Sequence, residues 1–125
     1  MSIQFTSAQV TPEQVTLRPL VEGALKVDEI EYAIVEAHGS NPFRVMGYVD
    51  LYNLTPGDRV VLREYMMIKK GGEYRLYAEA PYENEQGEPL VYVESKVSRY
   101  GIKVTIHQVA GDSRVVDFQF FETKV

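Results

Sequence analysis

The chain has 125 residues, enough for one ordinary domain, whereas two domains of about 60 residues would each be only marginally stable. Apolar residues make up 45% and charged residues 25%, which excludes wholesale disorder, and the net charge of -5 opposes binding to phosphate backbones, so we expect no nucleic-acid partner. The sequence contains no cysteine, which excludes disulfide bonds, zinc–thiolate sites and thiol catalysis.

Residues 1–14 are predicted to form an N-terminal arm or a first edge strand, and residues 15–125 a single folded domain. The arm is polar apart from Ile3, Phe5 and Val10, and it lacks the basic start and apolar run of a secretory signal. No segment reaches the roughly 18 consecutive apolar residues that would cross a membrane. We therefore expect neither a signal peptide nor a membrane partner.

The first strand of the domain is predicted at residues 15–21. Pro19 indicates that this strand lies at the edge of a sheet, because proline cannot donate a hydrogen bond to a neighbouring strand.

Residues 28–38 fit either a helix or a strand. Asp28 followed by Glu31 resembles a capping box, while Ile30 and Ile34 fit both helical spacing and the alternation of a strand. A helix of about ten residues would need support from the rest of the fold. We favour a strand, because the remainder of the chain offers sheets to join.

From residue 43 onward the pattern is strand, turn, strand. Apolar residues alternate over 43–51, and Pro56-Gly57 supplies the two central residues of a type II turn. Residues 59–69 carry apolar side chains on both faces, which predicts a central strand.

The later strands are separated by short turn segments. Gly71-Gly72 predicts a tight hairpin with positive φ at both glycines. Four further strands are predicted at 74–82, 90–94, 102–107 and 115–121, separated by a polar loop at 83–89, a bend at 98–101 and a turn at 111–113. Regular short strands of this kind predict an all-β, single-domain antiparallel β-sandwich, jelly-roll-like, of about eight strands.

The two histidines, His38 and His107, could ligate a metal together with Glu36 or another acid. They lack the short spacings of zinc motifs, so we expect both to be ordinary residues. The acidic loop could instead bind calcium through Glu83, Asn84, Glu85 and Glu88. It lacks the alternating Asp and Asn of calcium loops, and we favour a solvated loop.

Glu64 and Glu79 would form an acid–base pair if they met across the hairpin, but surface strands carry such acids routinely. The sequence contains no nucleophile elbow and no phosphate-binding glycine motif. We therefore predict a protein that is not an enzyme, with no catalytic, cofactor-binding or metal-binding residue.

Most tyrosines lie in or beside predicted strands, where they could stack on sugars or form interfaces. Strand packing explains most of them equally well. The tyrosines concerned are Tyr48, Tyr52, Tyr65, Tyr74, Tyr77, Tyr82, Tyr92 and Tyr100. A row of coplanar exposed tyrosines would favour the alternative of a carbohydrate-binding or other ligand-binding module.

Four segments carry a resemblance to a known group: GDRVVLREY at 57–65, YRLY at 74–77, SRYGIKVTIHQ at 98–108 and FQFFE at 118–122. Over residues 45–122 the chain resembles small, uncharacterised all-β proteins associated with viruses of prokaryotes. The resemblance implies a structural role in the virion, as a capsid decoration or other accessory subunit. The implied partners are further copies of the chain, a major virion protein, or both, and no active-site residues are implied. A location outside the virion would be cytoplasmic.

Overall fold

The computed structural model describes residues 17–125, and this part of the chain is all-β, with eight strands and no helix. The strands are β1 Arg18–Val27, β2 Tyr32–His38, β3 Phe43–Asp50, β4 Arg59–Met67, β5 Arg75–Glu83, β6 Leu90–Glu94, β7 Gly101–Ala110 and β8 Arg114–Lys124. The predicted arm at residues 1–14 and the predicted domain boundary lie outside the described residues.

The strands form two four-stranded antiparallel sheets. Sheet A has the order β1-β8-β3-β6, and sheet B has the order β2-β7-β4-β5. Every connection crosses from one sheet to the other except the one between β4 and β5. This is the strand order of an eight-stranded jelly roll, so the predicted antiparallel β-sandwich of jelly-roll type is confirmed.

The core lies between the two sheets and is built by alternation along each strand. In β3, Phe43, Val45 and Val49 are buried, whereas Arg44, Met46 and Tyr48 face outward. Gly47 shares the inner face, where a Cβ would lie 2.1 Å from the carbonyl oxygen of Gln119. The backbones of β3 and β8 therefore approach too closely at this point for any side chain.

Residues around position 30 form no helix, and the prediction of a strand is confirmed by β2. Asp28 accepts a hydrogen bond from the backbone N–H of Ile30 at 2.9 Å, which closes a turn instead of capping a helix. The strand predicted at 15–21 continues to Val27 as β1. It lies at the edge of sheet A, as Pro19 indicated, with a bulge between Pro19 and Val21.

One of the two glycine turns forms as predicted. Gly57 has a φ of +93°, and the N–H of Asp58 donates to the carbonyl of Thr55 at 3.0 Å, as in the predicted type II turn. The predicted hairpin between β4 and β5 forms, but its turn lies one residue earlier than predicted, at residues 69–72, where the N–H of Gly72 donates to the carbonyl of Lys69 at 3.0 Å. The predicted positive φ at both glycines is wrong, because only Gly71 has one. A bulge after Glu64 shifts the register of this pair by one residue.

Candidate interaction surfaces

The outer face of sheet B carries a cluster of charged side chains centred on Arg63. The guanidinium of Arg63 pairs with Glu79 at 3.0 Å and with Glu31 at 3.3 Å. It also lies 3.2 Å from Nδ1 of His107, whose Nε2 lies 2.8 Å from the carbonyl oxygen of Glu29. A carbonyl only accepts, so Nε2 of His107 carries the proton and Nδ1 accepts from Arg63. We call this set the Arg63 cluster.

Glu31 receives further hydrogen bonds within the Arg63 cluster. The hydroxyl of Thr105 donates to it at 2.6 Å, and the phenol of Tyr65 donates to the same oxygen. Burial raises the pKa of Glu31, but these two hydrogen bonds and the positive charge of Arg63 lower it more, so the net shift is downward. The carboxylate is therefore held in its charged form by groups of the same chain.

A second set on this face, the tyrosine clamp, consists of Lys103 and the rings of Tyr65 and Tyr74. The ammonium of Lys103 lies 5.0 Å from the centre of the Tyr65 ring and 4.8 Å from that of Tyr74. The phenol of Tyr74 donates to Glu36 at 3.0 Å, and burial together with this carboxylate raises the pKa of Tyr74. The same oxygen of Glu36 lies 3.2 Å from Nε2 of His38. These two tyrosines already have partners and do not form an open stacking platform.

The structure does not unite the sequence candidates into one chemical site. His38 contacts Glu36, whereas His107 belongs to the Arg63 cluster. Glu79 lies opposite Arg63, while Glu64 lies opposite Ala78 and so points to the other face of the sheet. Among residues 17–125 there is no group of three or more His, Asp or Glu side chains placed to hold a metal ion.

The residues of the acidic loop have different environments. Asn84 has a φ of +62°, its side chain accepts from the N–H of Gly57 at 2.8 Å, and Glu83 pairs with Arg59. These contacts fasten the start of the loop to the type II turn. Glu85 and Glu88 are exposed.

Asp58 joins two turns and the start of β8 at one end of the sandwich, a role that the sequence analysis missed. Its side chain is 2% exposed and accepts hydrogen bonds from Arg114 at 2.7 Å, from the N–H of Thr55 at 2.8 Å and from the N–H of Asp112 at 3.1 Å. Burial raises the pKa of Asp58, but these hydrogen bonds lower it more, to about 2. A Cβ on Gly111 would lie 2.2 Å from this carboxylate, so only glycine fits there.

The outer face of sheet A is less completely paired than that of sheet B. Tyr48 and Tyr92 lie opposite each other with ring centres 5.4 Å apart, but their planes are inclined by 49°, so this pair is not coplanar. A shallow depression of about 460 Å³ beside Tyr48 is lined by Asp50, Asp117 and Gln119. Asp50 and Asp117 lie directly opposite each other, and within the described residues neither forms an ion pair.

The sandwich has four edge strands, and three of them have features that hinder pairing with another chain. Edge strand β5 contains Pro81, edge strand β6 has five residues, and edge strand β2 has a bulge between Ala33 and Val35. The fourth, β1, has ten residues, of which seven are exposed. Pro19 and a bulge lie at its start, but from Val21 to Val27 it pairs with β8 without interruption. The free side of β1 over this range, which we call the β1 edge, is the most regular of the four.

Comparisons of the chain with models of protein families, with curated proteins and with solved structures found no match. In residues 17–125 no helix is long and apolar enough to span a bilayer.

Proposed function

We propose that this chain is a non-enzymatic structural subunit that acts by protein–protein assembly, as a capsid decoration or other accessory subunit of a viral particle. The observation that carries the proposal is the unpaired β1 edge of an eight-stranded jelly roll. Jelly rolls are frequent in viral capsid proteins, and the resemblance over residues 45–122 points to the same setting.

The proposed mechanism is strand addition together with docking of the N-terminal arm. The free side of an edge strand presents a row of N–H and C=O groups, and a partner strand that pairs with them gains main-chain hydrogen bonds in a fixed register. Residues 1–10 would add contacts to a neighbouring subunit. Self-association and docking on a larger virion protein both use this chemistry.

The test of the proposal is the mass of the full chain in solution. Light scattering coupled to size exclusion, repeated over a range of protein concentrations, is expected to give a homo-oligomer. A chain that stays monomeric at every concentration would overturn self-assembly. Deletion of residues 1–10 is expected to weaken association while circular dichroism shows an intact fold. Full-strength association of the truncated chain would show that the arm plays no part.

A second candidate function is ligand binding at the depression on sheet A. The specific observation is the exposed ring of Tyr48 beside the polar side chains of Asp50, Asp117 and Gln119, a combination that suits a sugar. The inclination of Tyr92 toward Tyr48 opposes flat stacking of a sugar on both rings.

Titration with soluble oligosaccharides, followed by NMR, tests this candidate. Binding that is lost in Tyr48→Ala and kept in Tyr52→Ala, an exposed tyrosine that does not line the depression, would favour the ligand-binding module. If no oligosaccharide changes any NMR chemical shift, the ligand-binding function is excluded.

A further inference from the structure

The proposed function does not specify which strand pairs with the β1 edge, and the charged side chains of β1 bear on this question. Glu22, Ala24 and Lys26 lie opposite Gln119, Asp117 and Val115 of β8, all on the outer face of sheet A. Glu22 and Lys26 are both exposed, and neither has an ion pair within the described part of the chain. The two charges are of opposite sign and stand at equal distances in sequence from Ala24.

We propose, as a refinement that rests on the proposed function, that the β1 edge pairs antiparallel with the β1 edge of a second copy, centred on Ala24. In this register Glu22 of each copy lies opposite Lys26 of the other, and this happens twice, as two-fold symmetry requires. Directly opposite residues share a face, so the outer faces of the two sheets join. The two four-stranded sheets become one continuous eight-stranded sheet.

Charge selects this register over its neighbours. Centring the pair on Glu22 would place the two Glu22 carboxylates opposite each other, and centring it on Lys26 would do the same with the two ammonium groups. Centring the pair on Gly23 or Leu25 would place Ala24 opposite Glu22 or Lys26 and lose both ion pairs. A slip of one strand by a single residue would join the outer face of one copy to the inner face of the other. The acids Asp50 and Asp117 lie farther in on the same outer face, so a second copy's Lys26 adds positive charge beside an acidic surface.

The inner face of β1 is also compatible with pairing. In the proposed register Leu25 lies opposite Gly23 of the second copy. Gly23 leaves the ring of Phe118 uncovered on this face, since a Cβ at position 23 would lie 3.6 Å from that ring in ordinary contact. Leu25 and Phe118 are both partly buried and pack at the border of the core. In the proposed pair, Leu25 of each copy therefore covers the ring of Phe118 of the other copy at the edge of the core.

Charge reversal tests the inferred pairing in the full chain. Glu22→Lys and Lys26→Glu each place like charges opposite one another twice, and each is expected to raise the dissociation constant of the dimer at least tenfold, measured by sedimentation velocity. An equimolar mixture of the two variants is expected to form heterodimers by native mass spectrometry. The double variant with both reversals is expected to restore association. Glu85→Lys, the same charge change in the exposed loop before β6, is the control and is expected to associate normally.

A cross-link gives a second measurement. The natural chain has no cysteine, so Ala24→Cys places one thiol on each copy at the two-fold axis, where opposed Cα atoms lie about 4.5 to 5.5 Å apart, within the range for a disulfide. Mild oxidation is expected to give a covalent dimer, whereas Ala33→Cys on the exposed edge of sheet B is expected to stay monomeric in denaturing gels.

The results of these experiments distinguish a failure of β1 pairing from a failure of self-association. Single reversals that associate as well as the unaltered oligomer would overturn β1 pairing and leave assembly standing. β1 pairing would also be overturned if the single variants associate weakly and neither their mixture nor the double variant recovers. If deletion of residues 1–14 then abolished association, the N-terminal arm and not a second β1 would be the segment that pairs with the β1 edge. An unaltered chain that is monomeric at every concentration overturns β1 pairing and self-association together.

Discussion

The two outer faces of the sandwich use charge differently. On sheet B the Arg63 cluster and the tyrosine clamp pair their charges within the chain, at 3.0 to 3.3 Å for the ion pairs of Arg63. On sheet A, Asp50 faces Asp117, while Glu22 and Lys26 have no ion pair among the described residues. Charges satisfied within one chain contribute to its folding stability, and unsatisfied charges remain available to a partner. The difference agrees with the proposed assembly, in which the charges of sheet B stabilise the subunit and those of sheet A would contact a partner.

The contrast between the two outer faces assumes that the inner face of sheet A is tightly packed. Gly47→Ala tests this, because its Cβ would collide with the backbone of β8 at Gln119 and with the ring of Phe120. We expect a loss of about 3 kcal/mol in the free energy of unfolding, measured by urea denaturation. Gly87→Ala, where no atom lies within 4 Å, is the control and should change stability by less than about 0.5 kcal/mol. A similar small effect at both glycines would refute the close approach.

Asp58→Asn removes the charge that joins the turns of both sheets, and we expect it to cost about 2 to 3 kcal/mol at neutral pH. The low pKa of about 2 predicts a pH dependence. The unfolded carboxyl has a pKa near 3.8, so the folded state gains stability above that value and loses it as the pH falls toward 2. After allowance for the partly exposed Arg114, this loss amounts to about 1 to 2 kcal/mol.

Urea denaturation from pH 6 to pH 2 measures the contribution of Asp58. Asp58→Asn should lose less unfolding free energy than the natural protein as the pH falls, because its side chain does not titrate. Asp112→Asn is the matched control, because Asp112 also lies near Arg114, at 3.8 Å, but is almost fully exposed. An equal acid loss in natural protein and in Asp58→Asn would show that other carboxyls are responsible.

Arg63→Met tests the role of sheet B in stability. Arg63 is 19% exposed and has three partners, so we expect a loss of about 1 kcal/mol and a rise in the pKa of Glu31, which NMR titration can follow. Arg75→Met removes an arginine that is 73% exposed and pairs with an exposed acid. This control should be nearly neutral. Equal costs for the two arginines would remove the distinction between the Arg63 cluster and an ordinary surface pair.

The smallest effect on folding is expected on the β1 edge. Glu22→Lys should change the unfolding free energy of the separated subunit by less than about 0.5 kcal/mol, because Glu22 is exposed and without an ion pair in the described chain. Thermal denaturation at a concentration where the natural protein is monomeric measures this. A large loss would mean that any change in association reflects unfolding.

The fold class could be predicted from the sequence because alternation is a local signal. The buried row of β3 and the type II turn at Pro56-Gly57 both follow from residues close together in the chain. The position of the turn before Gly72 could not be predicted, because it follows the register of β4 with β5, which a bulge after Glu64 shifts by one residue. Local glycines predict that the chain turns, whereas register fixes where the strands end.

The candidate surfaces were harder to predict than the fold. Arg63, Glu31 and His107 come from β4, the segment before β2 and β7, and no spacing in the sequence relates them. The extension of β1 to Val27 was missed because Gly23 and the charges Glu22 and Lys26 weaken its strand pattern. A signal was nevertheless present, since opposite charges on the same side of an edge strand are a pattern that pairing between copies would use.

The position of β8 has a consequence for biosynthesis. This strand lies between β1 and β3 in sheet A, although β1 is made long before it. While the chain is being translated, β1 has no neighbour in its own sheet until β8 has left the ribosome. Contacts between such distant segments form slowly, on a scale of about milliseconds to seconds in all-β domains. In the proposed assembly, β1 would be ready to pair with a second copy only after β8 has been made, because β8 is the strand that holds β1 in sheet A.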